Sequence, residues 1–262
     1  MLKTRDLHYA GRTVALPDLP EYRKFYGKLE AGQWEPRTFE ILGRNLDRGT
    51  VYVDIGAWIG VTPLWASGLA KRVLAYEPDP KCLALLRELS ASYANVEVYG
   101  AALSSAPSVT LNAVDGFGSS ESSALNIGDG EHAIVPGIGI DEIMRQAGPD
   151  PAFVKIDIEG YEFELLAEIS GLRNHNVRGL QLAVHPQLLE KSLSGGRLAR
   201  KLKTALRVWQ LSRVLRDAFD TPRLAKFPSV TSYILHGVLW CDNPKGADFV
   251  FERKAAGATG RR

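Results

Sequence analysis

Cysteine is nearly absent from this chain. Cys82 and Cys241 are the only two in 262 residues, too few for a disulfide framework or a cysteine-rich zinc site. A reduced, cytosolic protein is therefore the expectation. Long apolar runs are missing as well. No stretch of about 18 apolar residues marks a membrane span, and the N-terminus has no apolar segment resembling a signal peptide. Neither sign of charge is in excess: the formal net charge of +2 falls far short of the basic bias of a dedicated nucleic-acid binder. No internal repeat stands out, and no clear second domain. What is present is ordinary for a globular protein, 45% hydrophobic and 24% charged residues, in a length that suits one α/β domain with elaborations and a full core.

The order of elements supports that class. Residues 1–36 are polar and aromatic, with Pro17, Pro20 and Pro36, and read as an N-terminal extension or lid docked on a main domain over 37–254. A helix is expected over Arg37–Leu46, a strand over Val51–Ile55, a helix over Val61–Ala70 and a strand over Arg72–Tyr76. Asp79 followed by Pro80 predicts an N-cap and first helical position for a helix reaching Tyr93. A third strand covers Val96–Tyr99. Residues 104–139 are rich in Gly and Ser, with at least one strand over Val109–Val114, and read as a loop-heavy insert that carries specificity. A short helix over Ile140–Ala147, strands over Phe153–Ile156 and Gly179–Val184, a basic helical insert over 187–220, and final strands over Thr231–His236 and Phe249–Phe251 complete the main domain. The small, basic tail 255–262 is expected to fray. Strands alternating with helices predict a doubly wound, mostly parallel Rossmann-like sheet, here with an antiparallel C-terminal strand.

The most informative run is Val51 to Gly60. A short apolar strand ends at Asp54-Ile-Gly56, Ala57 alone separates Trp58 from Gly56, and Gly60 precedes an apolar helix. This places a backbone turn and a helix N-terminus at the carboxyl edge of a sheet, where open α/β folds bind nucleotides. A dinucleotide fingerprint needs glycines at its first, third and sixth positions. Counted from Gly56, those positions hold Gly56, Trp58 and Val61, which excludes a pyrophosphate cradle and, with it, NAD-dependent oxidoreduction. Asp54-x-Gly56-x-x-x-Gly60 instead suits a ligand with no pyrophosphate and with an amino group for Asp54 to hold, such as S-adenosylmethionine. The Trp58 indole, at the turn itself, is expected to pack beneath the loop or to wall the methionine end of that ligand. Glu77 follows Gly56 by 21 residues, at the end of the second strand, where an acid can accept both hydroxyl protons of a ribose.

The second strong signal is Lys155-Ile-Asp-Ile-Glu-Gly-Tyr-Glu162. It puts Asp157 and Glu159 where the fourth parallel strand ends. Two carboxylates there can position a substrate, serve as a base or bind a divalent cation through oxygen, the metal being the least favoured of the three. Lys155 alternates away from the apolar residues and is placed to pair with one of these acids. His185, at the end of the next strand, is suited by its ordinary pKa of about 6.5 to take a proton from a hydroxyl. A structural, hydrogen-bonded histidine is the competing reading.

Taken together, Asp54 to Gly60, Tyr76-Glu-Pro-Asp-Pro80, Ala102-Leu-Ser104 and Lys155 to Glu162 resemble the FkbM-type S-adenosylmethionine-dependent methyltransferases, over roughly residues 35 to 185 and in the family's order and spacing. The resemblance implies a class I methyltransferase fold and methyl transfer, usually to a hydroxyl of a sugar, glycolipid or natural product. It implies that Gly56, Ala57, Trp58 and Gly60 line the methionine end of the cofactor with Asp54 close by. Glu77 and Pro78 would lie at the ribose, and Ala101, Ala102 and Leu103 would border the adenine. Glu35, in Trp34-Glu35-Pro36, matches a recurrent upstream acid that closes over the methionyl part or the substrate. Ser122 and Ser123 match a Ser-Ser-Leu signature that Ala124 interrupts here. Family members often carry an acid two residues before the His-Pro pair; this chain has Ala183 there, with Gln181 and Gln187 as candidate substitutes. Asp157, Glu159 and His185 are the candidate catalytic residues.

Two rival functions stay open: N-methylation of an amine, for which no Asn-Pro-Pro-Tyr motif is present, and S-adenosylmethionine binding without turnover. Arg197 to Arg216 holds seven basic residues and no acid, interleaved with leucines and Trp209. It is an amphipathic basic helix whose bland reading is a solvated face over a packing face. Its sharper reading is contact with an anionic carrier or peripheral contact with a membrane surface.

Overall fold

The computed structural model describes residues 2–113, 116–119, 122–125, 130–219, 223–224 and 226–252. The tail expected to fray lies outside these, as does Val114 of the strand expected over Val109–Val114. At the N-terminus, β1 (Thr4–Tyr9) and β2 (Arg12–Pro17) form an antiparallel hairpin. Its turn, Ala10-Gly11, has positive φ at both residues, 47° and 75°, the backbone twist that two-residue hairpins favour. Leu7, Tyr9, Val14 and Leu16 alternate onto one buried face. Residues read from sequence as a polar and aromatic extension therefore include a half-buried ribbon. It is followed by α1 (Arg23–Glu30) and α2 (Pro36–Asn45).

The main sheet has seven strands. In chain order they are β3 (Val51–Ile55), β4 (Arg72–Tyr76), β5 (Val96–Tyr99), β10 (Ala152–Ile156), β11 (Val177–Val184), β12 (Arg223–Leu224) and β13 (Ala247–Glu252). Their spatial order is β12-β13-β11-β10-β3-β4-β5. The five strands from β11 to β5 run parallel, and β13 is antiparallel to β11. The expected doubly wound sheet with an antiparallel C-terminal strand is what the chain adopts. Because β3 neighbours both β4 and β10, the chain winds outward in two directions from it. The switch point where such folds open a ligand crevice thus lies beside β3.

Helices α3 (Val61–Ser67), α4 (Pro80–Ser90), α5 (Ile140–Ala147), α6 (Leu166–Gly171), α7 (Pro186–Ser192) and α8 (Arg197–Ala218) cover the sheet. One apolar layer joins Val53, Ile55, Val154 and Ile156 to α5, α6 and α8. The other joins Tyr52 and Phe153 to α2, α3 and the N-terminal hairpin. Asp79 caps α4, its Oδ1 accepting from the amides of Lys81 and Cys82 at 2.8 and 3.0 Å. The insert over 104–139 is better ordered than a loop-heavy reading suggests. Four strands, β6 (Ala102–Leu103), β7 (Ser108–Ala113), β8 (Ser122–Ser123) and β9 (Glu131–Ile138), make a second sheet in the order β6-β9-β7-β8.

One expected strand is not a strand. Thr231–His236 lies in a helical turn, Val230–Ser232, that continues as a π-helix over Tyr233–Leu239. Its buried residues Tyr233, Gly237 and Val238 recur at helical spacing, and a Cβ on Gly237 would press into the Tyr233 ring. Packing against α8 overrides the aromatic and β-branched composition that pointed to a strand. The strand that extends the sheet edge is β12 instead. Two helices are also shorter than expected, α3 ending at Ser67 and α4 at Ser90.

Candidate active site

The carboxyl ends of β3, β4 and β10 open into one cavity. Gly56, Ala57, Trp58, Glu77, Pro78, Ala101, Ala102, Leu103, Asp157 and Glu159 line it, together with Glu35 from the N-terminal segment. Trp34, Thr62, Lys155, Ile158 and Tyr161 also line it, as do Leu111, Ser119 and Ala124 of the second sheet's region. Asp54, Gly60 and His185 are not lining residues.

The β3 turn is built by close backbone approach. Gly56 has φ of 90°, and a Cβ there would overlap the carbonyl of Asp157, so only glycine lets the loops after β3 and β10 touch. The amides of Gly56 and Ala57 both donate to the Tyr76 carbonyl, at 3.0 and 3.1 Å. Trp58 follows with φ of 49°, and its amide donates to Glu77 Oε2 at 2.7 Å. Glu77 Oε1 accepts from the Asp79 amide at 2.7 Å. A single buried carboxylate thus ties two loops together. Burial pushes the Glu77 carboxyl up to about 8, against the pull of its two amide bonds. The Trp58 ring lines the cavity and is clamped edge-on by Phe25 and Tyr22, with centroids 4.8 and 5.6 Å away. Gly60, φ 96°, is the residue that starts α3.

Asp54 lies one layer below the cavity, fully buried. Its Oδ2 accepts from Thr62 Oγ1 at 2.5 Å, and Thr62 is the residue exposed to the cavity. Strand register sets Lys155 beside Asp54, and Lys155 Nζ reaches Asp157 Oδ2 at 2.8 Å. Burial opposes the ammonium, but Asp157, Asp54 and Glu35 surround it and raise its pKa. The expected pairing of Lys155 with one of the strand-end acids is present.

Glu35 starts α2 in a left-handed conformation, φ 41°. Its Oε2 accepts from Thr38 Oγ1 at 3.0 Å, and Thr38 Oγ1 accepts from Gln181 Nε2 at 2.7 Å. Gln181, considered as a substitute for the missing acid at Ala183, therefore serves the Glu35 side. Burial, with Asp157 and Asp248 nearby, moves the Glu35 carboxyl up to about 7 despite Lys155. Among the described residues four non-glycines have positive φ: Ala10, Glu35, Trp58 and Glu159. Three of the four line this cavity, and such conformations cost about 1–3 kcal/mol each and cluster at functional sites.

His185 stands at the end of β11. Its Nε2 is 3.6 Å from Asp157 Oδ1 and 3.7 Å from Glu159 Oε2. Its amide donates to Glu162 Oε1 at 2.5 Å, and its Nδ1 is 3.8 Å from that oxygen. Burial disfavours the imidazolium, yet Glu162, Glu159 and Asp157 outweigh it and raise the pKa to about 10. At neutral pH the ring is charged, which is not the state of a ready proton acceptor. Asp157 is partly buried, which favours its neutral form, but Lys155 and His185 hold it below the usual carboxylate range. One donor atom each from Asp157, Glu159 and His185 lie within 4.8 Å of one another, a spacing a divalent cation can span.

Glu162 was not singled out from sequence, although it closes the Lys155–Glu162 motif. It is fully buried, and its Oε2 accepts from the Gly160 amide at 2.8 Å, so it joins the β10 loop to His185. Ser123 Oγ donates to the Glu159 carbonyl at 2.7 Å, which fixes that loop from the second sheet. Ser122 pairs in β8 with Ala113. Trp34, Thr62, Ser119 and Tyr161 were missed as lining residues; Trp34 and Thr62 adjoin motif residues, whereas the contributions of the second sheet carry no local signal.

An open α/β sheet with this strand order, a glycine turn that lacks the dinucleotide fingerprint, and acids at the ends of β4 and β10 define a class I methyltransferase. The model of the Methyltransferase FkbM domain matches residues 54–208, more than half of the chain, and the chain belongs to the FkbM methyltransferase family. Among solved structures it is similar to an rRNA methylase from Streptococcus thermophilus, at 12% identity over 83% of this chain and 95% of that one, TM-score 0.45. It is also similar to a proposed methyltransferase from Streptococcus mutans in complex with SAH, at 13% identity over 83% and 96%, TM-score 0.47. A third is the fibrillarin pre-rRNA processing protein of Methanococcus jannaschii, at 12% identity over 97% and 99%, TM-score 0.45. No curated protein matches the chain.

Proposed function

We propose that this methyltransferase uses S-adenosylmethionine to methylate a hydroxyl of a sugar, glycolipid or natural product. The observation that carries the reading is the convergence of four separate segments on one cavity: Gly56–Trp58, Glu77–Pro78, Ala101–Leu103 and Asp157–Glu159. Glu77 keeps a lone pair on each oxygen for the two ribose hydroxyls, and Ala101, Ala102 and Leu103 offer an apolar border for adenine. The Gly56 turn leaves room for the methionyl chain. Asp54 acts on that end through Thr62 and Lys155 rather than by contact, and Glu35 closes it from the N-terminal side. When bound, the sulfonium supplies an already activated methyl group. The protein's part is then to align the acceptor oxygen in line with it and to exclude water.

As the O–CH3 bond forms and the S–CH3 bond breaks, the hydroxyl proton must leave. Asp157, Glu159 and His185 form the group that takes it up. With His185 charged, a carboxylate is the acceptor and the imidazolium balances the second acid. A divalent cation in place of the imidazolium proton is the second reading, supported by the spacing of the three donors. Isothermal titration with S-adenosylhomocysteine tests the cofactor, and absence of binding overturns the reading. Transfer of a labelled methyl group to sugars, glycolipids and polyketides, with and without a chelator, tests the acceptor and the metal. Label in RNA or in an amine, with none in hydroxyl acceptors, would replace O-methylation by one of its rivals.

A further inference from the structure

Helix α8 spans 22 residues and buries Lys201, Thr204, Ala205, Val208, Leu211, Ser212 and Leu215. A second apolar stripe on the same helix is uncovered. Leu198, Leu202, Leu206 and Trp209 are 71%, 54%, 53% and 42% exposed. Their spacing of four, four and three residues puts them on one face, about 17 Å long at the α-helical rise. Arg213 continues the stripe, its guanidinium 5.2 Å from the Trp209 ring centroid. Lys203 and Arg216 are exposed beside it. Trp240, 70% exposed, belongs to the neighbouring segment that Lys201 Nζ grips through the carbonyls of Val238 and Cys241. Leucines and Trp209 set among cations, with no acid between Arg197 and Arg216, are a composition suited to a lipid interface.

We propose that this face of α8 docks the enzyme on an anionic bilayer surface. Charge complementarity selects that occupant. Lipid headgroups supply the negative charge that Lys203, Arg213 and Arg216 would meet, and the acyl boundary receives the leucines. A second copy of the chain would instead set one cationic stripe against another, and a nucleic acid offers no aliphatic surface to the leucines. The position suits the chemistry too. Arg207 of α8 pairs with Glu164 at 3.3 Å, three residues beyond Tyr161, which lines the cavity. The docking face therefore lies on a helix packed against the segment that follows the cavity wall. The inference does not depend on the acceptor assignment.

Flotation with phosphatidylcholine vesicles and with phosphatidylcholine–phosphatidylglycerol vesicles tests it. The wild type is expected to float with the anionic vesicles only, to be released by high salt, and to show a blue shift of tryptophan emission that Trp209→Phe diminishes. The triple variant Leu198→Gln, Leu202→Gln, Leu206→Gln should lose at least tenfold in vesicle affinity at an unchanged melting temperature. A wild type that stays in the aqueous fraction with both vesicles overturns the proposal. So does a dimer in analytical ultracentrifugation that the triple variant dissociates, which would make the stripe a subunit interface. Displacement of the vesicles by RNA at equal charge would assign the face to nucleic acid.

Discussion

The two halves of the cavity rim are held by different means. On the β3–β4 side the backbone does the work. Amides of Gly56, Ala57, Trp58 and Asp79 are all bonded, two of them to the Glu77 carboxylate. On the β10–β11 side, ionic side chains hold the rim together. Lys155, Asp157, Glu159, Glu162 and His185 each lie 2.8 to 3.8 Å from another member of the group, and buried Asp157 Oδ1 and His185 Nδ1 make no hydrogen bond. The amide bonds of the β3–β4 side involve a single titratable group, the Glu77 carboxyl, whereas the charge cluster responds to protons and ions throughout. The first suits a constant cofactor and the second a proton-releasing reaction.

That contrast can be broken from either side. The largest effect is expected from Gly56→Ala, whose Cβ meets the Asp157 carbonyl. S-adenosylhomocysteine binding should become undetectable by titration calorimetry, with a lowered melting temperature; wild-type binding would sink the cradle. Next comes Lys155→Met. Removing the cation leaves Asp157 and Asp54 buried without it, and urea unfolding should show a loss of about 3–5 kcal/mol, the range for breaking a buried pair.

Glu77→Gln should weaken S-adenosylhomocysteine at least tenfold while the chain stays folded. On the proposed ribose role the hydroxyls need the carboxylate, so binding should lower the Glu77 pKa and release a proton. Affinity should therefore rise as pH increases through about 8, and the Gln variant should flatten that rise. Equal affinity across the range would remove the ribose role.

The smaller effects sharpen the charged half. If the neutral His185 ring were the base, the rate would keep climbing toward pH 10, its raised pKa. A rate level above pH 7 would assign the proton to a carboxylate. The same shift makes a stability statement: the charged ring contributes fully below about 6.5, its ordinary value, and the contribution is lost as pH rises through 10. His185→Gln and the wild type should thus converge in stability at high pH. A chelator that leaves turnover unchanged would discard the divalent cation.

Much of the cradle was legible in sequence because its parts are local. Gly56 and Gly60 mark backbone conformations, Asp79-Pro80 marks a cap, and Val51–Ile55 is an unbroken apolar strand. Asp157 and Glu159 could be placed at a strand end for the same reason. The hairpin was missed although Leu7, Tyr9, Val14 and Leu16 alternate, since polar neighbours and prolines dominate the segment. Thr231–His236 misled because composition there favours a strand while its partner α8 demands a helix.

What the sequence by itself determined is the order of the five parallel strands, the non-dinucleotide turn and the acids at the strand ends. These follow from periodicity and backbone sterics within a few residues. Only the tertiary structure decided that Asp54 lies below the cavity, that Glu35 comes near Lys155 from more than a hundred residues away, and that Glu162 and two further acids raise the pKa of His185. Burial and charge proximity are properties of distant segments brought together, and they shift the pKa values of Glu35, Glu77, Asp157 and His185.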